Sequence, residues 1–315
     1  MHAAMTARPT YDDFPATQTY RQHVAYAFGI TFTEKPVERW LPWGGHEVHI
    51  DDWLPSGAPR ATVILVHGAG GYGRLLAPFA APLRAAGFAV RVPDLPAYGL
   101  TRVRPGGRVD YDEWVALVAE LADRAAEHGP VFLFGLSVGG MTCLWAAQRA
   151  RAVAGVVATT LIDLRDARTF VRATRAPWMG HLSLAAFRFL PHVTDAMSFP
   201  LSLIVPIERL TPDVQLARAL MSDPLLGRRW AQARCFRTIT SYVPPRDDFE
   251  LPCPLLLAHP GADTWTPVEM SLPVYQRVPT AKELVVLSNG AHAPLESPAY
   301  GELCATVTRF METRV

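Results

Sequence analysis

The chain lacks most of what would mark a metal, redox or nucleic-acid protein. Its four cysteines, Cys143, Cys235, Cys253 and Cys304, lie far apart with no CxxC pair among 315 residues. Zinc spacing is absent and the density is too low for a disulfide framework, so each cysteine reads as a small buried hydrophobe. An excess of one charge is missing too. The 30 Lys+Arg are scattered and nearly matched by 29 Asp+Glu, for a formal net charge of +1. No basic surface for nucleic acid is expected from that balance. The N-terminus, MHAAMTARPTYDDF, has no apolar core behind its single arginine, so no secretory signal is expected and the expected location is cytoplasmic. Internal repeats and low-complexity tracts are absent as well.

One uncharged run, residues 129–148, is long enough to span a bilayer. Gly135, Ser137, Gly139 and Gly140 sit at its centre, however, and it opens with the β-type run VFLF. A strand, a glycine turn and a buried helix explain it, and no integral membrane span is expected. With 50% hydrophobic and 19% charged residues, the composition suits a soluble α/β enzyme.

Pattern then gives the organisation. EVHIDDWL (47–54) alternates as a strand, whereas ATVILVHG (61–68), VFLFGL (131–136) and AVAGVVATT (152–160) are apolar runs suited to strands buried on both faces. Between them LLAPFAAPLRAAG (75–87) has helical spacing weakened by Pro82. FAVRVPDL (88–95) reads as strand, and YDEWVALVAELADRAAEHG (111–129) as an amphipathic helix closed by Gly129. This alternation predicts an α/β fold with a mostly parallel central sheet flanked by helices. From about 162 to 250 the alternation stops, leaving helices, many prolines and no strand-like run. LPCPLLLAHP (251–260) restores a strand, TPVEMSLPVYQRV (266–278) a helix, ELVVLS (283–288) the last strand and 298–314 a closing helix. The expected divisions are a partly helical, aromatic-rich leader over 1–33, a core over 34–161 and 251–315, and a helical cap over 162–250. Such a cap, inserted before the next-to-last strand, would sit on the C-terminal edge of the sheet, where open α/β sheets bind ligands.

The chemistry centres on Gly135-Leu136-Ser137-Val138-Gly139, which fits G-x-S-x-G. The pattern alone arises by composition in many chains. Here it falls where a buried strand meets a helix, where a serine must take a tight, strained turn that lifts its hydroxyl over the strand ends. A serine hydroxyl needs a base held by a third group. His292, after the last predicted strand in SNGAHAPLESP, is the candidate base. His67 begins a glycine loop, His259 precedes the acid candidate, and His181 and His192 fall in the cap. Asp263, in the short loop after the next-to-last strand, is the candidate acid, with Asp163, after the strand before the cap, as the alternative. Glu296 reads as a support for the histidine loop. For an oxyanion hole, His67-Gly68-Ala69-Gly70-Gly71-Tyr72-Gly73 follows a buried strand and offers backbone N–H groups. The candidates are the N–H groups of Ala69 and Val138, with Gly70 the alternative to Ala69. The phosphate-loop pattern GxxxxGK[ST] is absent.

Together HGAGG, DLPAYGLT (94–101), GLSVGG, GADTWTP and GAH resemble the capped branch of α/β-hydrolases that contains monoacylglycerol lipases, lysophospholipases and esterases. Ser137, Asp263 and His292 also occur in the chain order of that fold. The resemblance covers about residues 45–160 and 250–315. It implies acyl transfer from a small-molecule ester through a serine nucleophile, with no metal and no organic cofactor. Ala97 stands where the family's D-x-x-G-x-G segment has its first glycine, which predicts a loop of different shape. The cap, rich in aromatics such as Phe170, Trp178, Phe189 and Trp230, suits apolar acyl or aromatic esters. C–C bond, lactone or amide hydrolysis by the same residues, or a non-catalytic ligand receptor, remain alternatives. The oligomeric state is open, a homodimer included.

Overall fold

In β-rich stretches the residues pointing to opposite faces decide where a strand can go. Strands β3 (Thr62–Val66), β5 (Val131–Gly135), β6 (Gly155–Ala158) and β9 (Leu255–Pro260) are buried along their whole length. The computed structural model describes residues 8–246 and 249–315; the first seven residues of the expected leader, and two at the end of the expected cap, lie outside the described residues. With β1 (Val37–Trp43), β2 (His46–Trp53), β4 (Ala89–Pro93) and β10 (Lys282–Leu287) they form an eight-stranded sheet in the order β1-β2-β4-β3-β5-β6-β9-β10. From β4 to β10 all pairings are parallel, and β1 and β2 join antiparallel at one edge.

Alternate residues of each central strand feed two separate cores. Ile64, Val66, Leu133 and Val156 face the core under helices 111–126 and 138–149. Val63, Leu65, Phe132 and Val157 face the one under helices 77–85 and 299–312. Helix 138–149 is buried through every residue but its last, Arg149, so it tolerates no charge in the interior. Helix 77–85 keeps Pro82 inside it. Proline has no N–H to donate to the carbonyl four residues back, and here the hydroxyl of Tyr300 donates to Pro78 O at 2.7 Å instead.

The segment between β6 and β9 is mostly helical, with helices at 167–173, 177–189, 191–195, 201–204, 214–222 and 233–240. It departs from the sequence expectation in one respect. A two-stranded antiparallel ribbon, β7 (Ser198–Pro200) with β8 (Trp230–Gln232), closes a loop within it. Three residues a side leave too short a pattern to read in advance. Charged and polar groups fasten the insertion to the sheet edge. Arg234 binds Asp110 and Asp195, Tyr72 donates to Asp223 at 2.7 Å, and Arg229 donates to the Ala97 carbonyl at 2.7 Å. Ala97 takes φ 77°, the left-handed region that glycine favours, so alanine does not exclude that conformation from this loop.

The N-terminal segment is part of the same body. Helix 15–28 packs against insertion helix 214–222, and Tyr11 is fully buried, with its hydroxyl 2.7 and 2.8 Å from the two carboxylate oxygens of Asp94. Among the described residues no helix is long and apolar enough to cross a membrane.

Candidate active site

Ser137 stands between the end of β5 and the first turn of helix 138–149, at φ 56° and ψ −131°. This is a costly conformation for a residue with a Cβ. Neighbouring elements impose it. The Ser137 N–H donates to Thr159 Oγ1 at 3.2 Å, and the Gly140 N–H donates back to Ser137 O at 2.9 Å. A Cβ on Gly68 would lie 2.7 Å from Ser137 Cβ, and one on Gly140 would lie 2.1 Å from Thr160 O. Glycine at these two positions lets the loop after β3 close on the serine and helix 138–149 close on the chain after β6.

Asp263 and His292 come from the loops after β9 and β10 and meet at the same sheet edge. His292 Nδ1 is 2.8 Å from Asp263 Oδ2 and 3.0 Å from Thr266 Oγ1. Asp263 Oδ1 accepts the N–H groups of Trp265 at 2.9 Å and Thr266 at 2.8 Å, and its Oδ2 accepts the Thr266 hydroxyl at 2.7 Å. Burial alone would raise this carboxyl. The His292 ring and the three donors overcome that and hold it well below the usual carboxylate range. An ionised carboxylate only accepts, so the ring proton is assigned to Nδ1 and the lone pair to Nε2. Nε2 is buried and has no hydrogen-bond partner among the described residues, Ser137 included. The indole of Trp265 lies against the imidazole with ring centres 4.4 Å apart, and its Nε1 donates to Ala173 O in the insertion at 2.8 Å.

Ser137, His292 and Ala69 line one cavity of about 750 Å³. Among the described residues no backbone acceptor takes the N–H of Ala69, of Gly70 or of Val138. The remaining candidates have other partners. His67 accepts the Leu95 N–H on Nε2 at 3.0 Å, so its Nδ1 donates to Gly68 O at 2.8 Å. Asp163 is gripped through both oxygens by Arg165 at 2.8 and 2.7 Å. It lines a different recess beside Trp145, and no hydrogen bond or ion pair joins it to His292 among the described residues. Glu296 accepts the Ala291 N–H at 3.0 Å, next to His292.

The walls of the cavity are not the residues that composition singles out. Among the described residues no aromatic side chain of the insertion lines it; Trp178, Phe189 and Trp230 point to solvent and are 65%, 73% and 63% exposed. Leu210, Leu216, Leu220 and Leu226, with Thr211, supply the insertion's share of the wall instead. Tyr20 from the N-terminal helix, with Leu75 and Phe79, lines the cavity from the other side. Leucine in a helical insertion carries no signal that separates cavity wall from core. Thr266 and Trp265 lay within the acid loop, and nothing in their residue types announced contact with the imidazole.

Residues 57–298 match the family model described as serine aminopeptidase, S33. No curated protein matches the chain in sequence. Among solved structures, a soluble variant of monoglyceride lipase from Saccharomyces cerevisiae is similar at a TM-score of 0.69 and 18% identity, covering 91% of this chain and 97% of that one. The monoacylglycerol lipase of Paleococcus ferrophilus is similar at 0.65 and 20% identity, covering 85% and 100%. A thermophilic esterase from Thermogutta terrifontis is similar at 0.58 and 21% identity, covering 89% and 99%. These likenesses are of fold. With the sheet order above and a family match over most of its length, this chain is an α/β-hydrolase-fold hydrolase and belongs to the serine aminopeptidase S33 family.

Proposed function

We propose that Ser137, His292 and Asp263 form the catalytic triad of a carboxylic ester hydrolase acting on small apolar substrates. The N–H groups of Ala69 and Val138 would form the oxyanion hole. We read residues 1–33 as a leader, 34–161 and 251–315 as the catalytic core and 162–250 as a cap over its mouth. The observation that carries this reading is the His292 imidazole. It is oriented through Nδ1 by an ionised Asp263, and its Nε2 lone pair is kept unspent in the cavity that Ser137 also lines.

The chemistry follows from those roles. Ser137 Oγ attacks the ester carbonyl as His292 Nε2 takes its proton, and the carbonyl oxygen becomes an oxyanion facing the two N–H groups. Collapse breaks the bond to the alcohol oxygen, which leaves with the proton from His292. Water then attacks the acyl-serine, giving a proton to Nε2, and collapse breaks the acyl–Oγ bond as Nε2 returns that proton to Ser137 and the acid departs.

The cavity wall favours an ester over a peptide with a free N-terminus, although the family's description names aminopeptidase. No Asp or Glu lines the cavity among the described residues, so nothing there would pair with an α-ammonium group. Purified protein should be labelled by a fluorophosphonate probe and should cleave p-nitrophenyl acyl esters faster than aminoacyl p-nitroanilides. Ser137→Ala should abolish both labelling and turnover. Efficient anilide cleavage would reverse the substrate assignment. Unchanged turnover in Ser137→Ala would remove the triad altogether, and ligand binding without wild-type turnover would favour a receptor.

A further inference from the structure

Part of the cavity wall is built by a side chain from the N-terminal helix. Tyr20, in the N-terminal helix, is 7% exposed and lines two separate spaces at once. On one side is the apolar cavity that contains Ser137 and His292. On the other is a polar space of about 940 Å³ bordered by Arg21, Lys35 and Arg74. The segment after the glycine loop divides the same two spaces: Leu75 and Leu76 line the first, and their chain neighbours Arg74 and Ala77 line the second. Tyr20 is fixed in this partition by its hydroxyl, which donates to Leu75 O at 2.9 Å. Helix 15–28 cannot easily retreat, because it is packed against insertion helix 214–222, whose Leu216 and Leu220 face the same cavity.

We infer that Tyr20 is the specificity-determining residue that sets how long an apolar chain the site admits, acting as a stop where the cavity meets the polar space. The inference rests on the ester-hydrolase reading above and adds the limit on substrate length. Each methylene that fits in apolar surroundings gains about fourfold in kcat/KM, so activity should climb with chain length until the chain meets the phenol ring and then fall. The cations beyond the ring give a longer chain nothing: Arg74 is paired with Asp51 and Glu38, and Lys35 with Asp12. What a longer chain needs is the space that the ring fills.

The test is a chain-length profile on the full-length protein, with p-nitrophenyl esters from C2 to C16 and a parallel series of alkyl acetates from C2 to C12. Tyr20→Ala should move the optimum of one series by two or more carbons and raise the kcat/KM of esters just beyond the wild-type optimum about tenfold. The C2 ester, too short to reach the ring, should change less than the longer esters, and fluorophosphonate labelling of Ser137 reports that the variant has kept a reactive serine. The series that moves identifies the chain lodged against Tyr20 as acyl or alcohol. Tyr20→Phe keeps the ring that fills the space but loses the bond that holds it, so its optimum should shift less than that of Tyr20→Ala. Tyr20→Val, a smaller truncation, decides the matter if Tyr20→Ala does not fold. An unshifted optimum in both series for a folded, probe-reactive truncation would overturn the role of Tyr20 and leave the triad standing. Absence of labelling in the wild type would instead overturn the hydrolase reading beneath it.

Discussion

At the scale of single residues, the two carboxylates weighed for the acid make opposite predictions. Asp263 spends both oxygens on His292 and its own loop, whereas Asp163 spends both on Arg165. An asparagine at 263 can present an N–H to Nδ1, which would push the ring proton onto Nε2 and remove the lone pair that the mechanism needs. Asp263→Asn should therefore lower kcat about 10⁴-fold with the protein still folded. Asp163→Ala should cost about 1 kcal/mol of stability as a partly exposed ion pair is lost, with kcat within about twofold of wild type. Steady-state kinetics on one ester beside urea melts separates the two. If Asp163→Ala proved to be the inactive variant, the acid would have been misassigned.

At the scale of elements, the N-terminal segment and the glycine loop are coupled through Asp94. Its Oδ1 accepts the Gly73 N–H at 2.6 Å and its Oδ2 accepts the Leu100 N–H at 2.8 Å, while the Tyr11 hydroxyl reaches both oxygens. Tyr11 also stacks on Tyr72, at 5.2 Å between ring centres, and Tyr72 in turn holds Asp223 of the insertion. Tyr11→Phe keeps the stack but removes a hydrogen bond to a buried charged group, so urea unfolding should show a loss of about 1.5–3 kcal/mol. A change below about 0.5 kcal/mol would mean that the segment is held by apolar contact alone. The sequence makes some elements plain and others not, for physical reasons. β3, β5 and β9 are legible because burial on both faces leaves an unbroken apolar run. β1 is half-exposed at an edge and contains Pro42, so neither alternation nor propensity marks it. The turn at Ser137 and the two loops after β9 and β10 are legible because glycine, aspartate and histidine fall at strand ends. The cavity wall is not, since Tyr20 lies 117 residues before Ser137 and only the folded chain brings them to one space.

At the scale of the whole molecule, the same cluster sets how stability depends on pH. Glu38 and His49 from the antiparallel edge, Asp51 beside them, Arg74 after the glycine loop and Asp94 after β4 are pressed together under Tyr11. His49 is wholly buried, and burial alone would lower its pKa; the Asp94 carboxylate 3.0 Å from Nδ1, the hydrogen bond to Glu38 and the charge of Asp51 push it up to about 9. The folded protein therefore keeps this proton at pH values where the unfolded chain has released it. That stabilisation is complete below the unfolded value of about 6.5 and is lost as pH rises through about 9, a span equivalent to about 3 kcal/mol at most. Asp263 works in the opposite sense: its carboxyl is depressed in the fold, so its contribution is present above about pH 4 and disappears on acidification. The wild-type urea midpoint should thus fall between pH 7 and 10 beyond what exposed groups cause. His49→Gln should be less stable at pH 7 and show a flatter profile over that range, while losing stability in acid as the wild type does. Parallel alkaline slopes in the two proteins would show that the His49 proton is not what the edge strands, the glycine loop and the N-terminal segment share.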